Sequence, residues 1–370
     1  MVTATRILIA PGVYTGNLTA PRAAAAIQRG LARSGLAMHA TQLPVADGGV
    51  GTLDAVMAAH PQGTRHTVSV RDPLGRPVRA EYGLIDGGAT AVIEVAQITG
   101  ADYPLLKAST YGVGQLLKHM LDAGGRRFVI CADDNRAFDG GMGCLMALGV
   151  QFADANGRRI VQQGAASLEK VAAVNLQALD PRWRDCDIAV AVNGKVALDH
   201  VGTAYEFTAE AEVITRLQDG LRRYFDALAA GTQPYNVTEA GTAGGLATAL
   251  QLALDARRVF GCGIILDRVS FDTHVAAADL VVTGGGPVTA HRVASHAGIV
   301  GVAQRARRIP TVALTDGLTV TDEDLHRSGL AASLPIMDRV MPPEIARLET
   351  EALVERAALR LGYLLKLKLK

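Results

Sequence analysis

Three times along the chain a short apolar run gives way to a glycine-bearing loop and then to a helical pattern. Arg6-Ile7-Leu8-Ile9-Ala10 ends at Pro11-Gly12, and Thr19 then precedes an alanine-rich stretch through Leu36, a placement that predicts a threonine N-cap. Arg127-Phe128-Val129-Ile130-Cys131 is followed by ADDNRAFDGG and by the helical Met142 to Val150. Leu280-Val281-Val282 enters the loop Thr283-Gly284-Gly285-Gly286, with a helical segment from Ala290 to Arg305, and a fourth strand is expected at Thr311-Val312-Ala313-Leu314. Strands separated by helices of this length predict a parallel sheet whose ligand site lies at the carboxyl ends of the strands. The expected class is therefore α/β.

Elsewhere the texture changes. Thr64 to Val70, Val78 to Leu84 and Thr90 to Val95 are alternating β-rich runs punctuated by DPLG and DGG, which read as an antiparallel meander. Ile188 to Asp267 mixes short strands with a helix expected at Ala211 to Ala229. At 370 residues the chain exceeds the roughly 250 to 300 residues that one core supports. The expected division is a larger Rossmann-like domain of residues 1–62, 101–185 and 271–370, and a smaller α/β domain of residues 63–100 and 186–270 inserted discontinuously into it.

Composition narrows the partners. With 37 basic and 36 acidic residues the net charge of +1 supplies no field that would attract nucleic acid or an anionic membrane. No run approaches 18 uninterrupted apolar residues, so no membrane span is expected. The N-terminal MVTATRILIAPG reaches a strand pattern too soon for a signal peptide, and a cytoplasmic protein is expected. Cys131, Cys144, Cys186 and Cys262 form no C-x-x-C pair and read as buried thiols.

Several loops have the makings of a site. Asp47-Gly48-Gly49-Val50-Gly51-Thr52 precedes the helical Leu53 to Ala59. Glycines let a backbone approach an anion, and a helix N-terminus offers N–H groups, so Gly48, Gly49 and Gly51 read either as a cradle or as a tight turn with Asp47 as its cap. Asp139-Gly140-Gly141-Met142-Gly143 repeats that arrangement behind the polar Asp133, Asp134, Asn135 and Arg136, whose carboxylates suit holding Mg²⁺ or orienting a nucleophile, or alternatively form a solvated loop. Gly244-Gly245 and the run Gly284, Gly285 and Gly286 are further candidate phosphate seats. No stretch fits G-x-x-x-x-G-K-S/T or G-x-G-x-x-G, which excludes a P-loop and a dinucleotide fingerprint.

Taken in order, these segments resemble the glycerate kinase family, which phosphorylates D-glycerate at its 2-hydroxyl from ATP. PVADGGVGT at Pro44 to Thr52 is similar to that family's P-x-A-D-G-G-E-G-T. AVIEVAQITG from Ala91, STYGVGQLL from Ser109, DGGMGCLMALGVQFADANG from Asp139, AGTAGGLATAL from Ala240 and ADLVVTGGG from Ala278 follow in the family's order. The resemblance implies a two-domain fold, with Mg²⁺ and ATP as cofactors where kinase activity is retained and none otherwise. It also implies a small organic acid as ligand, with a nucleotide as a second one.

The departures fall on polar positions. The family's P-D-S-F-K-G-S-L-S/T-A stands here as Pro11-Gly12-Val13-Tyr14-Thr15-Gly16-Asn17-Leu18-Thr19-Ala20, without its acid, its serine and its lysine. G-G-S-A-T-N becomes Asp133-Asp134-Asn135-Arg136-Ala137-Phe138, and T-G-E-G-x-x-D becomes Thr283-Gly284-Gly285-Gly286-Pro287-Val288-Thr289. Phosphoryl transfer rests on positioning and on positive charge, so each such loss is expected to cost on the order of 10²-fold. The reading that follows is a divergent family member with lost or altered kinase activity and a retained metabolite-binding cleft. A functional ATP-dependent glycerate kinase is one alternative, with Asp47, Asp133, Asp134 and Asp139 toward metal. A different chemistry on a small acidic metabolite, using Asp133, Asp134, Arg136 and His291, is the other. The metal ligands themselves are left unassigned.

Overall fold

The computed structural model describes residues 4–367 apart from 17, 206 and 208, and the chain divides into two compact units. The first comprises residues 1–47, 51–61 and 262–370; the second comprises 48–50 and 62–261.

The first unit is built on five parallel strands. Met38–Gln42 lies at one edge, followed by Thr5–Pro11, Leu280–Gly285, Thr311–Thr315 and Ala332–Pro335. Alternate residues of the first strand serve opposite faces: Ile7 and Ile9 join one apolar cluster, Leu8 and Ala10 another. A sheet covered on both sides needs such unbroken apolar runs, which is why the strands were legible as runs rather than as alternations. On the face of Ile7 and Ile9 the helix Ala20–Arg33 packs against the helix Thr350–Leu365. Alanines and Gly30 permit close approach, since a Cβ at Gly30 would press on the backbone of Glu355. Thr19 occupies the N-cap position with extended backbone, but its side chain makes no capping hydrogen bond; Pro21, early in the helix, sets the turn instead. The segment expected as one helix from Ala290 to Arg305 is two, Ala290–Ser295 and Ile299–Arg305, parted where His296 and Gly298 take positive φ.

The second unit holds a six-stranded sheet in the order Arg257–Phe260, Asp187–Val192, Arg127–Cys131, Thr90–Glu94, Pro77–Ile85, Thr64–Arg71. The first four strands run parallel, and the last two extend the sheet as the antiparallel meander read from the sequence. This arrangement corrects the expected partition. Arg127–Cys131 pairs on one side with Thr90–Glu94 and on the other with Asp187–Val192, so residues 101–185 belong with 62–100 and 186–261 rather than with the N-terminal strand. The helix Ala211–Ala229 forms as expected and buries Leu217, Leu221, Tyr224, Phe225 and Leu228.

No helix among the described residues is long and apolar enough to cross a membrane. All four cysteines are free, with Cys131, Cys144 and Cys262 buried and Cys186 partly so.

Candidate functional site

In the first unit the chain turns from Thr5–Pro11 to Met38–Gln42 on one side, and from the neighbouring Leu280–Gly285 to Thr311–Thr315 on the other. This is the topological switch point of a doubly wound sheet, where a crevice opens beyond the carboxyl ends of the two diverging strands. The loops there are the one after Pro11 and the triple glycine.

The backbone stitches these two loops together. Gly12 N–H donates to Gly284 O at 2.8 Å and Gly286 N–H donates to Val13 O at 3.1 Å. Gly286 therefore spends on the neighbouring loop the N–H that a phosphate seat was expected to offer. The buried Tyr14 hydroxyl donates to Leu314 O at 2.8 Å, and burial pushes its pKa well above the ordinary value. Only glycine suits position 284, because a Cβ there would overlap the Tyr14 hydroxyl.

Thr15, standing where the family pattern has lysine, donates its N–H and its hydroxyl to Asp316 Oδ2 at 3.0 and 2.5 Å. Burial raises the Asp316 pKa, while the Thr15 hydrogen bonds and the charge of Arg292 act against that rise. Thr289, standing for the family's aspartate, caps Ala290–Ser295 by accepting from Arg292 N–H at 3.3 Å. A Cβ on Gly298 would lie 3.1 Å from Arg292 Nη1 and 3.3 Å from Asp47 Oδ2, which places both charged groups at one corner. Gly51 takes φ 85° at the start of Thr52–Ala59, and a Cβ there would meet Val13. His291 lies on Ala290–Ser295, and its side chain is outside the described residues.

The second unit gathers another set at the carboxyl ends of Arg127–Cys131 and Asp187–Val192. Asp133 accepts from Asn193 N–H at 2.7 Å and from Asn193 Nδ2 at 3.1 Å. Its own N–H donates to Gly48 O at 3.2 Å, and Asp134 Oδ2 accepts from Val50 N–H at 2.7 Å. Gly48, at φ 99°, gives the turn its left-handed backbone; Gly49 lies beside it. The loops of Gly140 and Gly244 are joined by Gly140 N–H donating to Gly244 O at 3.1 Å, and Asn135 Nδ2 bridges Ala137 O and Ala243 O at 2.8 and 2.7 Å. Gly141, Gly244 and Gly245 also have positive φ, and a Cβ on any of them would crowd its neighbours.

Two of the candidates, Asp139 and Arg136, have close partners within the chain. Asp139 is fully buried. Its oxygens accept from Thr110 N–H and Oγ1, Gly141 N–H and Gly143 N–H at 2.8, 2.9, 3.1 and 3.0 Å. Burial raises its pKa against those bonds, and the carboxyl oxygens hold the turn into Met142–Ala147. Arg136 pairs with the exposed Asp102 at 2.8 Å, so its charge is directed to that partner. Sequence reasoning passed over Asp316. Its signal was a polar residue directly after an apolar strand, at a carboxyl end where a ligand site belongs.

A model of the glycerate kinase family matches residues 7–366. The chain belongs to the glycerate kinase family. It is 32% identical to a glycerate kinase of Halalkalibacterium halodurans over 95% of this chain and 96% of that one. It is 31% identical to the glycerate 2-kinase of Escherichia coli, over 90% and 91% of the two chains. A crystal structure described as a glycerate kinase 2 from Salmonella typhimurium superposes with a TM-score of 0.79 at 31% identity, covering 98% of this chain and 99% of that one. The mixed α/β fold with parallel sheets is thus the fold of this family.

Proposed function

We propose that this chain is an ATP-dependent kinase of D-glycerate, forming 2-phosphoglycerate. The observation that carries the reading is near full-length similarity to proteins named glycerate kinases, at 31–32% identity. The loops support it: Gly48, Gly51, Gly140, Gly141, Gly244 and Gly245 keep left-handed backbones that side chains rarely adopt.

The donor chemistry fits Mg²⁺. Among the described residues no group of three or more histidine, cysteine or acidic side chains forms a ready metal cage. Mg²⁺ in phosphoryl-transfer sites takes only one or two protein carboxylates, with phosphate oxygens and waters completing its shell. Asp133 and Asp134, adjacent on one loop at a strand's carboxyl end, would hold it, and it would neutralise charge on the phosphates. The chain's own part is positioning: Asn193 fixes the Asp133 carboxylate and Val50 N–H fixes that of Asp134. Arg292, at the start of the helix after the triple glycine, brings a permanent cation to the switch point.

A second reading, lost or altered kinase activity, is favoured by one observation: Thr15 and Asp316 form a neutral–acid pair where the family pattern has lysine. An ADP-release assay with Mg·ATP and D-glycerate separates the two. A working kinase turns over at about 1–100 s⁻¹. Absence of ADP release, together with no thermal shift from Mg·ATP where 100 times the Kd should add about 2.7 kcal/mol, rejects the kinase.

A further inference from the structure

In the second unit, strand Thr64–Arg71 closes one side of the six-stranded sheet, and among the described residues no strand pairs with its outer side. Sheet edges are normally kept from pairing by short length, bulges, prolines or lysines. This edge has none of them: its 8 residues include neither proline nor lysine, and they meet Pro77–Ile85 in an unbroken register. Thr64 to Thr67 and Ser69 are exposed. We infer that this edge pairs antiparallel with the same strand of a second copy of the chain, around a two-fold axis at Thr67.

The ladder fixes which backbone groups face outward. In an antiparallel pair of strands, residues that exchange hydrogen bonds alternate with residues whose N–H and C=O point away from each other. Asp72 N–H donates to Arg76 O at 2.7 Å, so that pair is of the first kind and Arg71, opposite Pro77, is of the second. Accordingly Arg71 N–H donates at 2.8 Å to Gln115 Oε1 rather than to Pro77. Alternation then directs the backbone of Ser69, Thr67 and Arg65 away from Pro77–Ile85. The neighbouring strand agrees, because Glu81, opposite Thr67, gives its N–H to Gln97 Oε1 at 2.8 Å.

Outward residues must meet outward residues, and this leaves few registers for self-pairing. Centred on Arg65, the strand sets that arginine against itself; centred on Val68, it sets Arg65 against Arg71. Like charges directly opposite are destabilising. Centred on His66, it leaves Ser69 opposite Gly63, outside the strand. Centred on Ser69, it sets Thr67 against Arg71, whose N–H Gln115 already holds. Only the register centred on Thr67 engages all three outward residues: Thr67 meets the partner's Thr67, and Arg65 meets the partner's Ser69. The Arg65 guanidinium stays with Glu81 at 3.3 Å, so the pairing draws on backbone alone. On the other face His66, stacked on Tyr82 with ring centroids 5.1 Å apart, falls beside the partner's Val68. The inference rests on sheet geometry and not on the kinase reading.

Sedimentation equilibrium of the full chain at rising concentration tests it. The parent should pass from monomer to a species of twice the mass. Thr67→Pro removes the outward N–H without touching a bond to Pro77–Ile85, which proline tolerates at an edge. Dimer affinity should then fall by about tenfold or more, with an unchanged circular dichroism spectrum. Cysteine cross-linking gives a second measurement should that variant misfold. Opposed residues of a hydrogen-bonded antiparallel pair have Cα atoms about 5.5 Å apart, within disulfide reach. Thr67→Cys should therefore oxidise to a covalent dimer, whereas Ser69→Cys, facing the partner's Arg65, should not. A parent that stays monomeric at every concentration, a dimer unmoved by Thr67→Pro, or cross-linking of Ser69→Cys as readily as Thr67→Cys overturns the inference.

Discussion

Thr15 gives both its backbone N–H and its hydroxyl hydrogen to one oxygen of Asp316, at 3.0 and 2.5 Å, across 301 residues of chain. The pair ties the first loop to the end of Thr311–Thr315, and losing the acceptor leaves two polar groups to find water. Asp316→Ala should destabilise the protein by about 1–3 kcal/mol in urea unfolding, with Asp316→Asn costing less because an amide oxygen still accepts. Equal cost in the two variants would mean that the acceptor is not what matters.

The same carboxylate gives stability a pH signature. Burial raises the folded-state pKa of Asp316 above 3.8, so the folded chain holds a proton longer than the unfolded one. Its relative contribution is present below pH 3.8 and is lost as pH rises through the raised value. Asp279 behaves oppositely: the hydrogen bonds of Arg6 depress its pKa to about 2, and its contribution is lost as pH falls toward that value. Unfolding measured from pH 4 upward should therefore lose stability less steeply in Asp316→Asn than in the parent chain. A parallel course would show that Asp316 titrates normally.

Asp139 should matter to folding more than to turnover. Asp139→Ala leaves the N–H groups of Thr110, Gly141 and Gly143 without their buried acceptor, each loss costing about 1–3 kcal/mol. The expected outcome is a much lower unfolding midpoint, with Asp139→Asn intermediate. Per folded molecule, the kcat of Asp139→Asn should stay within about tenfold of the parent. A drop of 10³-fold or more in a fully folded variant would return Asp139 to the chemistry.

Arg136 offers the reverse contrast. Its guanidinium sits against Asp102, which is 88% exposed, and exposed pairs contribute little. Arg136→Ala should change stability by no more than about 0.5 kcal/mol and leave ATP affinity unaltered in a binding titration. A large rise in the Kd for ATP would show that the side chain leaves Asp102 for the nucleotide.

How far the sequence reaches depends on the distance over which each feature is decided. The strands at residues 5–11, 127–131 and 280–285, the meander and the helix Ala211–Ala229 follow from local periodicity, and each formed close to its expected place. Which sheet owns Arg127–Cys131 is decided by its pairing with Thr90–Glu94 and Asp187–Val192. An apolar run reads alike in either sheet, so periodicity carries no information on that point. The site divides in the same way. Left-handed turns at Gly48, Gly51, Gly140 and Gly244 were legible because glycine marks them. The partners of Asp133, Asp139 and Asp316 were not, since carboxylates aimed at a ligand and carboxylates aimed at backbone N–H groups look identical in one dimension.

Gly244 puts that last distinction to a direct test. It holds φ 63°, and a Cβ there would lie 2.5 Å from Ala137 O and 3.0 Å from Asn135 Nδ2. The Asn135 amide is the bridge between the loops of residues 137 and 243, so the intruding methyl must move that bridge or the Ala137 carbonyl. Backbone strain and overpacking each cost about 1–3 kcal/mol, and Gly244→Ala should show a loss of about 2–5 kcal/mol in urea unfolding. Asn135→Ala should lose a comparable amount by a different route, leaving the Ala243 and Ala137 carbonyls without their shared donor. Because both variants break one bridge, the double variant should cost clearly less than the two single losses added together. Strict additivity would mean that Gly244 and Asn135 act independently and that the two loops are held together by something other than this amide.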